Sequence, residues 1–486
     1  VKRLILSTAS FYLFATILAQ IASVIRIVAL PYMLSPVELG LWSLFNMLIA
    51  YGANSHLGFL HGMNKLYPAM RARGEIAEAG ALRDSVFMIC GILGIAVSLL
   101  AGIVGLLRFP DQLTSVFFAS LTIFFQSIHT FYFSLMRAEN RFRSVGSIVA
   151  GTSLVSTGFI LGSMFFNGQN ITNAMAGLLV GQAISSLLVY MLCQTRLTPV
   201  MKRRELRMAF VAGFPLLVVG FIDMFFVTVD RWILSSYGDP TEFGFYSLAV
   251  MVCGVLTLFS GVVSSFTYTR MIEMNASKEN AETGFKLFEN SHDLLSLLLL
   301  LLIILLWQLV PFMVEHFAVR YVEAIPLLKV LTFGYYFLAL AGACGSYAIS
   351  CNKQNALLVR QAVAFALMSG LCFAAMKAGF RLVPFGATVS SVLFIFYVFY
   401  LNVAVSAKPR HWIVTLRKSL TSGLPLVAAW VIQYLFTGFA LSRGSFWNAA
   451  LNAGLEVMIC WAGALLVYFP LNRRTTHELY QQFAQS

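Results

Sequence analysis

Charged side chains are scarce in this chain. Asp, Glu, Lys and Arg together make up 11% of 486 residues, against about 25% in soluble globular domains. That deficit excludes a soluble enzyme and a nucleic-acid-binding domain, which cover their surfaces with charge. It also excludes a disordered chain, which combines charge with few apolar residues. Cysteine is sparse and scattered, at Cys90, Cys193, Cys253, Cys344, Cys351, Cys372 and Cys460. No pair has CxxC or Cys/His ligand spacing, so neither a disulfide scaffold nor a metal site is supported. There is no GxxxxGK[ST] loop for nucleotide phosphates, no GxSxG and no HExxH. What remains is hydrocarbon: 59% of residues are hydrophobic and the mean hydropathy is +0.81. At about 20 apolar residues per span, the class is an all-α polytopic membrane protein without an enzymatic motif.

Apolar runs punctuated by Lys, Arg, Pro, Asn and Asp give about fourteen candidate transmembrane helices. They cover residues 8–31, 37–62, 84–107, 112–135, 145–166, 171–194, 208–236, 242–268, 291–314, 323–350, 355–376, 382–404, 421–441 and 446–471. The first apolar run extends to about Leu34, too long for a signal-peptide core, and reads as a retained span. When loops are assigned to alternate sides, most of the 33 basic residues share the side of the N-terminus. Only Arg108, Arg320, Lys377, Arg381 and Arg443 fall opposite. The positive-inside rule then predicts both termini in the cytoplasm. The formal charge of +13 thereby becomes a topology signal that meets anionic membrane lipid, with no nucleic-acid partner. Surface helices are expected in the connections Lys65–Asp84 and Arg270–His292, and Trp42, Trp232, Trp412 and Trp447 are expected as interface anchors.

Ser35–Leu44 reads SPVELGLWSL and Asp239–Leu248 reads DPTEFGFYSL. Pro36, Glu38, Gly40, Ser43 and Leu44 recur as Pro240, Glu242, Gly244, Ser247 and Leu248 at a constant offset of 204 residues. P-x-E-x-G is also a generic helix start, with Pro in the first turn and Glu near the positive end of the helix dipole. The offset equals six spans, however, so the copies share an orientation. This predicts two parallel six-helix bundles related by a pseudo-two-fold along the membrane normal, a transporter architecture with its site between the halves. The expected division is 1–205, 206–410, and 411–486 for two additional helices and a cytoplasmic tail.

An ionisable residue inside a span costs at least about 2.5–3.5 kcal/mol, so each is a functional candidate. Arg26 offers a planar fork suited to phosphate oxygens, or snorkels to headgroups. In the seventh span Asp223 and Asp230 lie seven residues apart, on nearly one helical face, with Arg231 beside them. Arg26, Asp223, Asp230 and Arg231 form the first candidate site, the two acids serving as a proton- or sodium-binding switch; a structural Asp–Arg pair is the alternative. His56 and His61, with Lys65 one turn beyond, are candidates to meet an incoming diphosphate headgroup. Lys329 is a further candidate cavity cation. His129 with Gln126 is expected to satisfy an interhelical hydrogen bond, and Glu456 to pair with a neighbouring helix.

The SPVELGLWSL hairpin after a first helix bearing Arg26, the segment HLGFLHGMNKLYPAMRARGE at His56–Glu75, the DPTEFGFYSL copy and the fourteen-span layout resemble the Wzx-type oligosaccharide flippases. These belong to the multidrug/oligosaccharidyl-lipid/polysaccharide (MOP) exporter superfamily. One departure is Asn64-Lys65, where an Arg is more usual. The resemblance implies a bacterial cytoplasmic (inner) membrane protein, and not an enzyme. It would move an undecaprenyl-diphosphate-linked oligosaccharide to the outer leaflet by alternating access, for surface polysaccharide biosynthesis. It implies no cofactor beyond a coupling H+ or Na+, and membrane lipids and other polysaccharide-assembly membrane proteins as partners. Two alternatives are a multidrug cation antiporter of the same superfamily and an integral-membrane polymerase or glycosyltransferase. The short outer connections argue against the latter.

Overall fold

A computed structural model describes residues 2–139, 141–195, 197–275, 281–406, 411–436 and 446–471. Among these residues the regular structure is entirely helical. The fourteen expected segments correspond to sixteen helices among the described residues because two of them are broken; the end of the span expected at 421–441 lies outside those residues. The elements are α1 (Lys2–Met33), α2 (Pro36–Ala53), α3 (Phe59–Ala72), α4 (Ile76–Arg108), α5 (Leu113–Ala138), α6 (Phe142–Asn167), α7 (Ile171–Cys193) and α8 (Arg203–Phe226). They continue with α9 (Val229–Tyr237), α10 (Pro240–Asn275), α11 (Ala281–Phe317), α12 (Ala324–Ser350), α13 (Gln354–Lys377), α14 (Leu382–Val405), α15 (His411–Phe436) and α16 (Phe446–Leu471). Eleven of these are long and apolar enough to cross a membrane.

The second span breaks between α2 and α3, where Leu57 and Gly58 take positive φ values of 45° and 88°. The seventh breaks at Val227 and Thr228, between α8 and α9. The expected surface helix in Lys65–Asp84 is absent as a separate element: α3 runs on to Ala72, and α4 begins at Ile76. Likewise the described parts of Arg270–His292 are extensions of α10 and α11, which reach 36 and 37 residues. Polar residues there simply continue the helices past the apolar windows, since the backbone ladder does not depend on hydropathy.

The chain divides into two compact units, Val1–Thr228 and Val229–Ser486. In the first unit α6 packs on α1 and α7, α5 on α4 and α7, and α2 on α5. In the second, α13 packs on α9 and α14, α12 on α11 and α14, and α10 on α12. The pairing is the same, helix for helix, and it extends to atoms. Ser35 caps α2 in a reciprocal box with Glu38, and Asp239 caps α10 through the Thr241 and Glu242 amides at 2.7 and 3.4 Å. Those amides hold the exposed Asp239 carboxyl below the usual carboxylate range. Glu38 then accepts from the Ile171 amide at the start of α7 at 3.2 Å, while Glu242 stands 3.6 Å from Arg381 at the start of α14. Ser186 of α7 donates to the Phe125 carbonyl at 2.8 Å, and Ser390 of α14 to the Val330 carbonyl at 2.9 Å. Ser186 and Ser390 stand at the same 204-residue offset as the hairpins. A generic helix start would not by itself carry the correspondence on to α7 and α14.

Two helices, α15 and α16, lie beyond the repeat. They pack on each other and on α11, and α15 also touches α14. Trp461 donates to the Leu301 carbonyl at 3.0 Å.

Candidate functional site

In the first unit the break between α2 and α3 gathers polar groups. Asn54 ends α2, and Ser55 meets Ser127 of α5 hydroxyl to hydroxyl at 3.2 Å. His56 is buried in the turn, its Nδ1 accepting from the Gly58 amide at 3.2 Å. His61, in the first turn of α3, places its ring edge-on to His56 at 4.8 Å, and Lys65 is exposed one turn on. The two histidines are thus brought together as expected, but at a helix break instead of along one span. The break is held against α8 by a crossing without room for side chains. A Cβ on Gly62 would stand 1.9 Å from the Ala209 carbonyl oxygen, and one on Gly213 1.9 Å from that of Gly58. Tyr51 also bonds Thr228, the last residue of the unit, and stacks on Phe225 at 5.0 Å.

Arg26 is half-buried in α1 and donates to Ser23 one turn earlier at 3.2 Å. Asp223 is exposed near the end of α8. His129 does not make the expected hydrogen bond through Nε2, which has no partner among the described residues; the ring stacks on Phe133 at 6.0 Å. Trp42, expected at the interface, is buried in the protein at 5% exposure. The side chains of Trp412 and Trp447 lie outside the described residues. A cavity of about 260 Å³ between α4 and α5 is lined by apolar groups and Ser127, and none of the expected site residues faces it.

In the second unit Asp230 is 3% exposed in α9. Tyr246 of α10 donates to its Oδ2, while Oδ1 is buried with no hydrogen-bond partner among the described residues. The groups acting electrostatically on this pair are Arg231, Tyr335 of α12 and Cys372 of α13. The expectation that Asp223 and Asp230 share one helical face is corrected: Val227 and Thr228 interrupt the helix between them, and the acids belong to different units. Lys329 of α12 has Glu456 of α16 and Glu315 of α11 as its charged neighbours, so it faces carboxylates of its own unit. Glu456 thereby meets a neighbouring helix, as expected.

One polar group went unnoticed in the sequence. Glu289 and Asp293 of α11 meet Lys418 of α15 inside the second unit, and His292 lies against the same Asp293 carboxylate. His292 and Asp293 stood at the edge of an expected span and Lys418 outside one, so the apolar-run criterion treated them as interfacial. The signal available was three ionisable residues within five, abutting a run of leucines.

Residues 80–318 match the family model described as "Polysaccharide biosynthesis protein". No curated protein sequence matches the chain. Among solved structures, the lipid II flippase MurJ in an inward closed conformation superposes with a TM-score of 0.69 at 14% identity, covering 94% of this chain and 98% of that one. An inward-facing multidrug resistance MATE family transporter of the MOP superfamily gives 0.57 at 15% identity, covering 81% and 96%. A eukaryotic MATE transporter gives 0.57 at 13% identity, covering 85% and 97%. At such identities the likeness speaks for the fold. This multi-pass membrane chain is thus similar over residues 80–318 to a polysaccharide biosynthesis family and shares its fold with a lipid II flippase and with MATE transporters.

Proposed function

We propose that the chain flips an undecaprenyl-diphosphate-linked oligosaccharide from the cytoplasmic to the outer leaflet of the bacterial inner membrane, as a Wzx-type transporter and not an enzyme. The observation that carries the reading is the polysaccharide biosynthesis match over residues 80–318 on a flippase fold. The repeat adds a chemical argument. Arg26 and Asp230 occupy equivalent positions, 204 residues apart, with opposite charge. A guanidinium half-buried in a span binds diphosphate oxygens in a fork. A carboxylate with one oxygen fixed by Tyr246 and the other unpartnered takes up a proton or Na+ without rearranging its support, which suits gradient coupling. His56, His61 and Lys65 serve the arriving headgroup, and both termini lie in the cytoplasm.

A deletion strain tests this. Undecaprenyl-linked oligosaccharide should accumulate on the inner leaflet and surface glycan should vanish, with restoration by the wild-type gene. Arg26→Ala and Asp230→Asn proteins should insert normally and restore less than about a tenth of the glycan, the loss expected from about 1.4 kcal/mol or more of missing interaction. Normal glycan in the deletion strain would remove the reading. Drug sensitivity in that strain, with normal glycan, would favour the antiporter.

A further inference from the structure

The α4–α5 pair has no part in the function just proposed, and its packing changes abruptly along its length. In the half nearest the turn that joins them, the two helices touch. A Cβ on Gly105 would stand 2.6 Å from Val116, one on Gly102 3.2 Å from the Ser120 hydroxyl, and one on Gly94 3.1 Å from Ser127. Ser98 donates to the Ser120 carbonyl across the same seam. Small residues in this pattern let helices close up where lipid supplies no hydrophobic drive. One turn nearer the start of α4, at Gly91, an added Cβ meets nothing within 4 Å. There the helices part. The cavity of about 260 Å³ opens between Phe87, Cys90, Gly91 and Ile95 of α4 and Phe124 and Phe131 of α5.

Depth and lining decide what fills it. Phe87 and Ile95 lie three and eleven residues beyond Asp84, at the polar end of the span. At about 1.5 Å per residue they stand about 5 and 17 Å deep, which is the hydrocarbon of one leaflet in a core of about 30 Å. Ile92 and Ile95 line the crevice and are also 45% and 50% exposed, and the exposed surface runs on along α4 through Leu99 and Ile103. The crevice is therefore continuous with the lipid-facing surface of the helix. No charged side chain lines it. Its one hydroxyl, on Ser127, is engaged by the Ile123 carbonyl at 2.9 Å and by Ser55 at 3.2 Å. Water finds no partners in such a space; an apolar cavity of about 150 Å³ stays dry and takes up benzene. Walls without a neighbour lose the dispersion contacts that close packing supplies. The hydrocarbon at hand at this depth is mostly phospholipid acyl chain, and a crevice without charge has no means of selecting a rarer lipid by its headgroup.

We propose that the crevice between α4 and α5 is a binding site for one phospholipid acyl chain, entering from the leaflet at the start of α4. On the topology proposed above this is the cytoplasmic leaflet. The chain supplies the contacts that the parted helices do not give each other, and it braces Ser127 against Ser55 at the α2–α3 break. This holds whatever the transported substrate, so its failure and that of the flippase reading are separate results.

The test places the full chain in liposomes of phosphatidylethanolamine and phosphatidylglycerol carrying a trace of a phospholipid with a mid-chain diazirine. After illumination, peptide mass spectrometry locates the label. In the wild type it should reach Cys90 and Phe131, which are buried, as well as Leu99 on the exposed surface of α4. Gly91→Leu puts a side chain into the crevice and should abolish label at Cys90 and Phe131 while leaving Leu99 labelled. Gly80→Leu, outside the crevice and equally free of close neighbours, should label like the wild type. Label confined to Leu99 in the wild type, undiminished in Gly91→Leu, or equally lost in Gly80→Leu overturns the proposal. So does loss of the buried label when undecaprenyl phosphate is added, which would assign the crevice to a polyprenyl tail. Should Gly91→Leu fail to insert, Met88→Trp fills the same space from the adjacent turn, and persisting label at Phe131 in that variant overturns it equally.

Discussion

Tyr246 and Asp230 show what a single residue contributes in this interior. The carboxylate is buried and its Oδ2 accepts a hydrogen bond from the Tyr246 hydroxyl. Removing the donor leaves a buried acceptor unsatisfied, which costs about 1–3 kcal/mol. Tyr246→Phe should therefore lower the thermal midpoint of the purified protein, measured by dye-monitored unfolding in detergent. Combined with Asp230→Asn the loss should be clearly less than the sum, because residues in direct contact couple; strict additivity would show that the bond contributes nothing. Asp230 was legible in the sequence because an acid in an apolar run is anomalous. Tyr246 was not, since a tyrosine at a helix start is unremarkable until packing brings it to the acid. Lys329 illustrates the same limit: its position inside a span could be read directly, but its neighbour Glu456, 127 residues away in sequence, could not.

For the elements, the α3–α8 crossing is set by glycine. Small residues let helix backbones approach closely where lipid supplies no hydrophobic drive, and here Gly62 and Gly213 meet carbonyl oxygens of the facing helix. Gly62→Leu must push α3 off α8, a strain of about 1–3 kcal/mol or more, and should sharply reduce the yield of monodisperse protein in size-exclusion chromatography. Gly80→Leu, where a Cβ meets nothing within 4 Å, should leave the yield unchanged. Equal yields would mean that the crossing does not hold the unit together. The break that makes this crossing possible was hidden from hydropathy, because Leu57 and Gly58 continue an apolar run; the polar triplet Asn54-Ser55-His56 was its only local trace. At the seventh span even that trace is missing, as Phe-Phe-Val-Thr-Val reads as uninterrupted helix.

Across the whole molecule, the distribution of basic residues makes a prediction independent of any site. With both termini inside, Glu78 at the start of α4 faces the cytoplasm and Gln169 between α6 and α7 faces outward. In a Cys351→Ser background, a membrane-impermeant maleimide should label Gln169→Cys in intact cells and Glu78→Cys only after the membrane is opened. The reverse pattern would invert the topology. The duplication is also a property at this scale. Ten residues suggested it, and the matching helix pairings and the Ser186 and Ser390 bonds of the two units agree with it.

The sequence by itself determined the class, the approximate positions of the helical segments and the 204-residue recurrence of the hairpin motif. Each depends on quantities local to the chain: apolar length against a bilayer of about 30 Å, and residue types at a fixed spacing. Tertiary structure alone decided that two spans break, that Trp42 is buried, that Lys329 faces carboxylates, and that His292, Asp293 and Lys418 share one site. Those outcomes depend on which helices touch. In hydrocarbon a polar group is satisfied by whichever partner packing delivers, and the spacing along one helix carries no record of the next.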